Sequence, residues 1–324
     1  MSSDAVSGPA SPAAVATAAG APASAETGSI YDIGYRKYDG PRLGRAHAVR
    51  SLFLHSLRSS FGIGRGGRAK IAPLTLGLLA CIPAIAIVAA QALFRQFPIG
   101  GAFDVELPIR YDSYAGTIGI FIILFCAAQA PDLFGRDQRH SLLSLYFSRA
   151  LRREDYALAQ IAGFVVAVFL LQLLPQGILF LGQVLLATDV LKGVIDDLPE
   201  MAAVVEQATL TAGLLGGIAM AITAFTPRRA YAVAGIIAAF VIPAIVAGIV
   251  LALGAIDIGP WLVLLSPTSV LEGTNAVLFG VPRISEFDGV ILEVVPDWAY
   301  FAAAAVGIAV SVGVTIRRFQ RITA

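Results

Sequence analysis

Long apolar stretches separated by short polar segments dominate the pattern of hydrophobic and polar positions along the chain. About 20 apolar residues are needed to cross the hydrocarbon core of a bilayer. Six stretches are near that length, the second shorter and the third longer, with Pro175 inside it. The pattern therefore predicts an all-α integral membrane protein with six transmembrane helices. By residue number they are 71–94, 115–130, 157–187, 201–225, 230–256 and 298–316.

The composition agrees with this class. Hydrophobic residues make up 57% of the 324 residues and charged residues only 14%, whereas about a quarter of a soluble domain is charged. A net charge of +1 gives no reason to expect a nucleic-acid partner. Both cysteines, Cys81 and Cys126, fall inside apolar stretches, so the sequence predicts neither a disulfide framework nor a cysteine metal site.

The basic residues predict an orientation. Of the 23 Lys and Arg, 19 fall on one side of the six predicted spans, and the other four are Arg95, Arg110, Lys192 and Arg283. Basic residues accumulate on the cytoplasmic side of membrane proteins. Both termini and the segment 131–156 are therefore expected to be cytoplasmic.

The N-terminal part divides into a tail and a basic lead-in. Residues 1–29 are almost all small residues and Pro, which predicts a disordered tail before a membrane domain at 30–324. From about Gly44 to Ser60, one helical face carries the apolar residues Val49, Leu52, Phe53 and Leu57. This predicts an amphipathic helix at the interface with membrane lipid. The GIGRGG stretch at 62–67 resembles a dinucleotide fingerprint but lacks a preceding strand, so we interpret it as a flexible basic hinge.

The segment 131–156 is too rich in charge for a simple connection. It carries five Arg and four acids, and its middle places Leu142, Leu145, Tyr146 and Arg149 at helical spacing. This predicts a short helix with an apolar side and a charged side. We expect a docking surface for another protein; the alternative is a helix lying on lipid head groups.

The segment 257–297 before the last span is also unusual. It has one basic residue and six acids, and its part near Trp261 to Gly280 is too apolar for an ordinary loop. Ser266 and Pro267 form an expected N-cap and first helical position, and Gly280 is expected to stop the helix. We expect short re-entrant helices here, with a surface helix as the alternative.

The sequence holds no recognisable catalytic chemistry. No zinc-protease, nucleophile-elbow or Walker motif occurs, so we expect no enzyme activity from this chain. Gln172, Gln176 and Gln183 in the third span share one helix face. They predict either a polar wall of a substrate path or hydrogen bonds between helices.

Three stretches carry a family resemblance: residues 30–45, 131–156 and 264–280. They resemble membrane subunits of bacterial ATP-binding-cassette exporters of the second type, the first stretch most like actinobacterial members. Related loops often have Pro where this chain has Ala150. The resemblance implies a permease of the bacterial plasma membrane in which six helices form one half of a homo- or heterodimer.

The resemblance also implies that ATP is bound by a different chain. A first-loop helix would contact a separate ATPase that binds ATP and magnesium, with no cofactor in this chain. The alternative is a channel or facilitator that works without an ATPase. The residues implied for the ATPase contact are Arg136, Asp137, Arg139, Leu142, Leu145, Ser148, Arg149, Arg152 and Asp155.

Overall fold

The computed structural model describes residues 40, 43–96, 111–148, 151–253, 259–282 and 294–321. This part of the chain is helical and contains no strand, and residues from Leu43 onward form one compact unit. Six helices are long and apolar enough to cross a membrane, which confirms the predicted class. The predicted tail at 1–29 lies outside the described residues. The helices are α1 (Gly44–Ser60), α2 (Gly67–Gln96), α3 (Tyr111–Arg139), α4 (Leu143–Phe147), α5 (Arg153–Leu186), α6 (Val190–Phe225), α7 (Arg229–Ala252), α8 (Gly259–Leu262, followed by a 3₁₀ turn at Val263–Leu265), α9 (Pro267–Phe279) and α10 (Asp297–Gln320).

Two of the spans extend nine or more residues beyond one end of their predicted apolar stretches. Helix α3 continues nine residues past the predicted end at 130, and α6 begins at Val190 rather than at 201. The first part of 131–156 is therefore helix and not loop. A helix satisfies its own backbone hydrogen bonds, so it can continue wherever its polar side chains reach water. A run of hydrophobic residues therefore locates the apolar part of a helix, but it does not show where the helix ends.

Helix α5 occupies the centre of the bundle. It packs against α1, α2, α3, α6 and α10. Phe164 stacks on Phe125 of α3 with ring centroids 6.1 Å apart. Gly163 allows α1 to approach, because a Cβ there would lie 2.6 Å from Cβ of Ser56. These five helices are thus arranged around α5.

Helix α1 has the predicted bounds but a different buried face. Its fully buried residues are Leu52 and three serines, Ser56, Ser59 and Ser60. Ser56 Oγ donates a hydrogen bond of 3.0 Å to the carbonyl of Gln160. The other three predicted apolar residues are only half-buried. Small side chains face α5 because they let two helix backbones come close together.

The GIGRGG stretch forms a hydrogen-bonded turn between α1 and α2. Gly62 has φ +70, and its N–H bonds to the Ser59 carbonyl at 3.0 Å while the Ile63 N–H bonds to the Arg58 carbonyl at 2.9 Å. These two bonds and the left-handed residue make a Schellman cap. The glycine also leaves room for the backbone of Ala69. The motif is therefore a helix cap followed by a return turn.

The two short helical segments before the last span, Gly259–Leu265 and α9, meet at a sharp bend. The axis from Gly259 to Leu265 meets α9 at 105°. Ser266 Oγ accepts from the Ser269 N–H at 3.2 Å, and Gly280 ends α9 in the left-handed region, as predicted. Helix α9 packs against α3, α6, α7 and α10. Helix α9 therefore does not lie free at the surface, and a bend of this size is typical of a broken span or of a re-entrant loop.

Candidate functional site

The turn between α3 and α4 orients the predicted docking segment. Ser141 has φ +53, the single non-glycine residue with positive φ in the described part of the chain. Its N–H bonds to the Gln138 carbonyl at 3.3 Å, and the Leu142 N–H bonds to the Asp137 carbonyl at 3.0 Å. This is the Schellman pattern with serine in the position usually held by glycine. It ends α3 and turns the chain directly into α4.

The inner side of α4 rests on an aromatic cluster. Tyr146 and Phe147 place their ring centroids 5.2 Å and 5.9 Å from Tyr156 of α5. Phe319 of α10 lies 5.3 Å from Tyr156 and 4.7 Å from Phe134. Burial raises the pKa of Tyr146, which keeps the phenol neutral near pH 7. The rings of α4 therefore pack on Tyr156 of α5, which in turn packs against Phe319 of α10.

A buried carboxylate ties the same cluster together. Asp137 is 2% exposed. Its Oδ2 accepts from the Tyr156 hydroxyl at 2.8 Å and from Gln160 Nε2 at 3.4 Å, and Arg136 lies 3.9 Å from its Oδ1. A buried carboxylate persists when it is hydrogen-bonded and near a cation. Asp137 thus supports α4 from inside and does not reach the surface.

The outer side of α4 is open to solvent. Leu145 is 64% exposed, and Ser148 on the same short helix is also exposed. Arg139 and Arg152, one on each side of α4 in the chain, are exposed as well. Four of the predicted contact residues in and beside α4 are thus exposed, and we call them together the α4 surface: Arg139, Leu145, Ser148 and Arg152.

The remaining predicted contact residues have other positions. Arg136 and Leu142 are half-buried. Asp155 forms a bidentate ion pair with Arg45 of α1, with both N–O distances 2.7 Å. Arg149 lies outside the described residues. Sequence spacing missed Leu143 and Tyr156, which fix α4 in place, because spacing does not show which side of a short helix meets the protein.

Ion pairs join the elements around this surface. Asp132 of α3 lies 2.8 Å from Arg65, which follows α1, and 3.5 Å from Arg229 at the start of α7. Gln138 Nε2 donates to the Ala224 carbonyl at the end of α6 at 3.1 Å. We call this end of the bundle, where Arg65 and Arg229 meet Asp132, the basic end. These contacts join the end of α3, which leads into α4, to α6, to α7 and to the turn after α1.

The glutamine face of α5 points into the bundle. Gln172 Nε2 donates to Gln207 Oε1 of α6 at 3.1 Å. Gln183 is half-buried, and its Oε1 accepts from the Tyr111 hydroxyl at 3.4 Å. Gln176 is fully buried, and neither amide atom has a hydrogen-bond partner among the described residues. Gln207 was missed from sequence, although an amide inside an apolar stretch is itself a signal of helix contact.

The described residues hold no group of three or more His, Cys, Asp or Glu that could bind a metal ion. No protein-family model and no curated protein matches the chain.

Proposed function

We propose that this chain is the membrane subunit of an ATP-driven exporter in the bacterial plasma membrane. It would form the substrate path with a second permease protomer and bind a separate ATPase through the α4 surface. ATP and magnesium would bind to that ATPase, and both termini of this chain would be cytoplasmic. The observation that carries the proposal is α4 itself, a short helix fixed from inside and exposed outside.

The burial pattern of α4 favours a protein partner over lipid. A helix that lies on head groups turns its large apolar residues toward the acyl chains. In α4 the large residues Leu143, Tyr146 and Phe147 pack inward, which leaves Leu145 as the one large apolar side chain facing out. A single apolar anchor among polar and charged neighbours is typical of a protein interface core with its rim.

The rigid support of α4 also favours a coupling role. A preorganised surface binds a partner without the further loss of entropy that ordering would bring. Because Tyr146 and Phe147 pack on Tyr156, a push on α4 would reach α5 directly and α10 through Phe319. It would reach α3 through the hydrogen-bonded turn that joins α3 to α4. This is the behaviour required of a helix that links ATP hydrolysis to movement of the spans.

Leu145→Asp tests the docking role. Co-expression with each candidate ATP-binding-cassette ATPase of the source organism, followed by pull-down and ATPase assay, should show retention by the wild type. Loss of a buried anchor at an interface costs about 2 kcal/mol or more, so the variant should bind the ATPase at least about 30-fold more weakly. Leu191→Asp is the matched control, since Leu191 is 71% exposed at the opposite end of α6. Equal retention by both variants would refute docking at α4 and leave the channel alternative.

Cysteine labelling tests the orientation. Both native cysteines are buried, so they give little background with an impermeant thiol reagent. In intact cells a cysteine at Leu191 should react, whereas one at Ser144 should react only after permeabilisation. The reverse result would invert the proposed topology.

The glutamine face admits a separate test. The hydrogen bond to Gln207 supports a helix-contact role for Gln172. If Gln176 is only structural, Gln176→Leu should stabilise the protein, because burying an amide without partners costs free energy. If Gln176 lines a substrate path, the same stable variant should lose the substrate response of the reconstituted ATPase. Gln183→Leu, at the less buried end of the face, gives the comparison.

A further inference from the structure

An apolar groove lies between α1 and α5, beside the buried serines of α1. It is an open groove of about 740 Å³, a volume within the range of ligand-sized clefts. Most of its walls are apolar, and two arginines stand among them. The lining residues are Arg45, Ala46, Val49, Arg50, Phe53, Leu158, Ala159 and Ala162.

The groove exists because small side chains on α5 lie opposite one face of α1. Ala46, Val49 and Phe53 lie on one face of α1, since they are spaced by three and four residues. Ala159 and Ala162 present only methyl groups from α5, which leaves open space opposite that face. The groove lies within the first three turns of α5, beside the Arg45–Asp155 ion pair. It therefore combines apolar walls with charged groups.

The two arginines of the groove differ in what they bind. Arg45 is neutralised by its bidentate ion pair with Asp155, which also raises the pKa of Arg45. Arg50 is exposed and makes no ion pair with any of the described residues. One charge-bearing guanidinium thus stands beside an apolar groove. Arginine favours phosphate because its planar donors match the phosphate oxygens.

We propose that this groove is a binding site for an anionic phospholipid. One acyl chain lies along Val49, Phe53 and Ala162, and the phosphate pairs with Arg50. The Arg45–Asp155 pair fixes the separation of α1 and α5 and so sets the width of the site. The lipid would hold α1 against α5 and thereby support the start of the helix that carries Tyr156. This inference rests on the groove and its charge, and it stands whether or not the exporter proposal is correct.

Lipid retention measures the site directly. The purified protein would be exchanged into micelles containing phosphatidylglycerol or phosphatidylcholine, and the bound lipid counted by native mass spectrometry. One arginine at a membrane surface contributes to anionic lipid binding an amount that corresponds to about a fivefold change. Arg50→Gln should therefore retain phosphatidylglycerol about fivefold less than the wild type and bind phosphatidylcholine unchanged. Arg58→Gln removes the same charge from α1 outside the groove and should change neither.

A second variant tests the apolar part of the site. Ala162→Trp fills the groove and should lower retention of both lipids, whereas Ala305→Trp on the exposed side of α10 should not. Equal loss in Arg50→Gln and Arg58→Gln would mean a diffuse basic surface and overturn the proposal. Displacement of lipid by excess inorganic phosphate would show a free-anion site instead. The proposal would also be overturned if neither Arg50→Gln nor Ala162→Trp changed lipid retention. It would be overturned as well if a second copy of the chain, and not a lipid, occupied the groove.

Discussion

Helices α4 and α9 are both short and both connect long spans, yet they are placed in opposite ways. Helix α4 lies at the surface with one side packed, whereas α9 is surrounded by α3, α6, α7 and α10. The inner side of α4 is bulky and aromatic, and its outer side keeps polar residues beside Leu145. The packed side of α9 includes small residues, Gly273 and Ala276, that let other helices approach. The size and polarity of the side chains around a short helix decide whether it is buried among the spans or lies at the surface.

The largest effect is expected from a substitution that disturbs the packing of the enclosed helix α9. A Cβ at Gly273 would overlap the ring of Tyr300. Gly273→Ala should therefore lower the free energy of unfolding by about 1–3 kcal/mol through overpacking. Gly313→Ala in α10 is the matched control, since its Cβ meets nothing within 4 Å. That control should stabilise by about 0.5–1 kcal/mol. Thermal unfolding of both variants in detergent measures the difference, and equal shifts would contradict the close packing of α9.

The next test separates the two sides of α4. Leu143 is 8% exposed, so Leu143→Ala should lower the free energy of unfolding by about 2 kcal/mol. Leu145→Ala should leave unfolding within about 0.5 kcal/mol, because the residue is largely exposed. Denaturant or thermal unfolding compares the pair. A large loss of stability from Leu145→Ala would show that this residue packs inside the protein and would remove it from the α4 surface.

A smaller effect probes the support beneath α4. Tyr156→Phe keeps the ring in the aromatic cluster but removes the hydrogen bond to Asp137. A hydrogen bond to a charged group contributes about 1.5–3 kcal/mol, and Gln160 still faces the carboxylate. We expect a loss near 1.5 kcal/mol and faster proteolysis within the α4 segment.

The exposed Tyr231→Phe should change neither stability nor proteolysis. A Tyr156→Phe, Asp137→Asn double variant should lose less than the sum of the two single losses, because the partners share one interaction. Strict additivity would contradict the coupling of Tyr156 to Asp137.

The smallest effect compares the ends of α3 and α9. Both end in the same cap, with Ser141 at φ +53 in one and Gly280 at φ +63 in the other. A non-glycine residue in this region carries strain of about 1 kcal/mol. Ser141→Gly should therefore stabilise by up to about 1 kcal/mol, and Gly280→Ala should destabilise by a similar amount. Unfolding midpoints of the two variants check the opposite signs, and a destabilising Ser141→Gly would mean that the serine side chain contributes more than its strain.

Much of the fold follows from local sequence rules. Apolar length gave the number and order of the spans, because the bilayer thickness is fixed. Ser266, Pro267 and Gly280 predicted the bounds of α9, since caps depend only on a few neighbouring residues. The bounds of α1 followed from its periodicity in the same way.

The candidate site was only partly predictable. The structure has the predicted short helix at this place, but it divides the predicted apolar side, because Leu145 is exposed while Tyr146 packs on Tyr156. The burial of Asp137, the support from Tyr156 and the Gln172–Gln207 bond join residues far apart in the chain. No spacing rule specifies which of several polar residues will meet across helices.

The sequence by itself determined which segments are helical and how many can cross a bilayer, since both depend on local hydrogen bonding and on transfer from water. Only the tertiary structure decided which face of each helix is buried. In α1 the serines face α5 and the larger apolar residues flank them, because close backbone packing at Gly163 requires small side chains. Which face of α1 is buried depends on the shape of the neighbouring helix, and the sequence of α1 alone does not specify that shape.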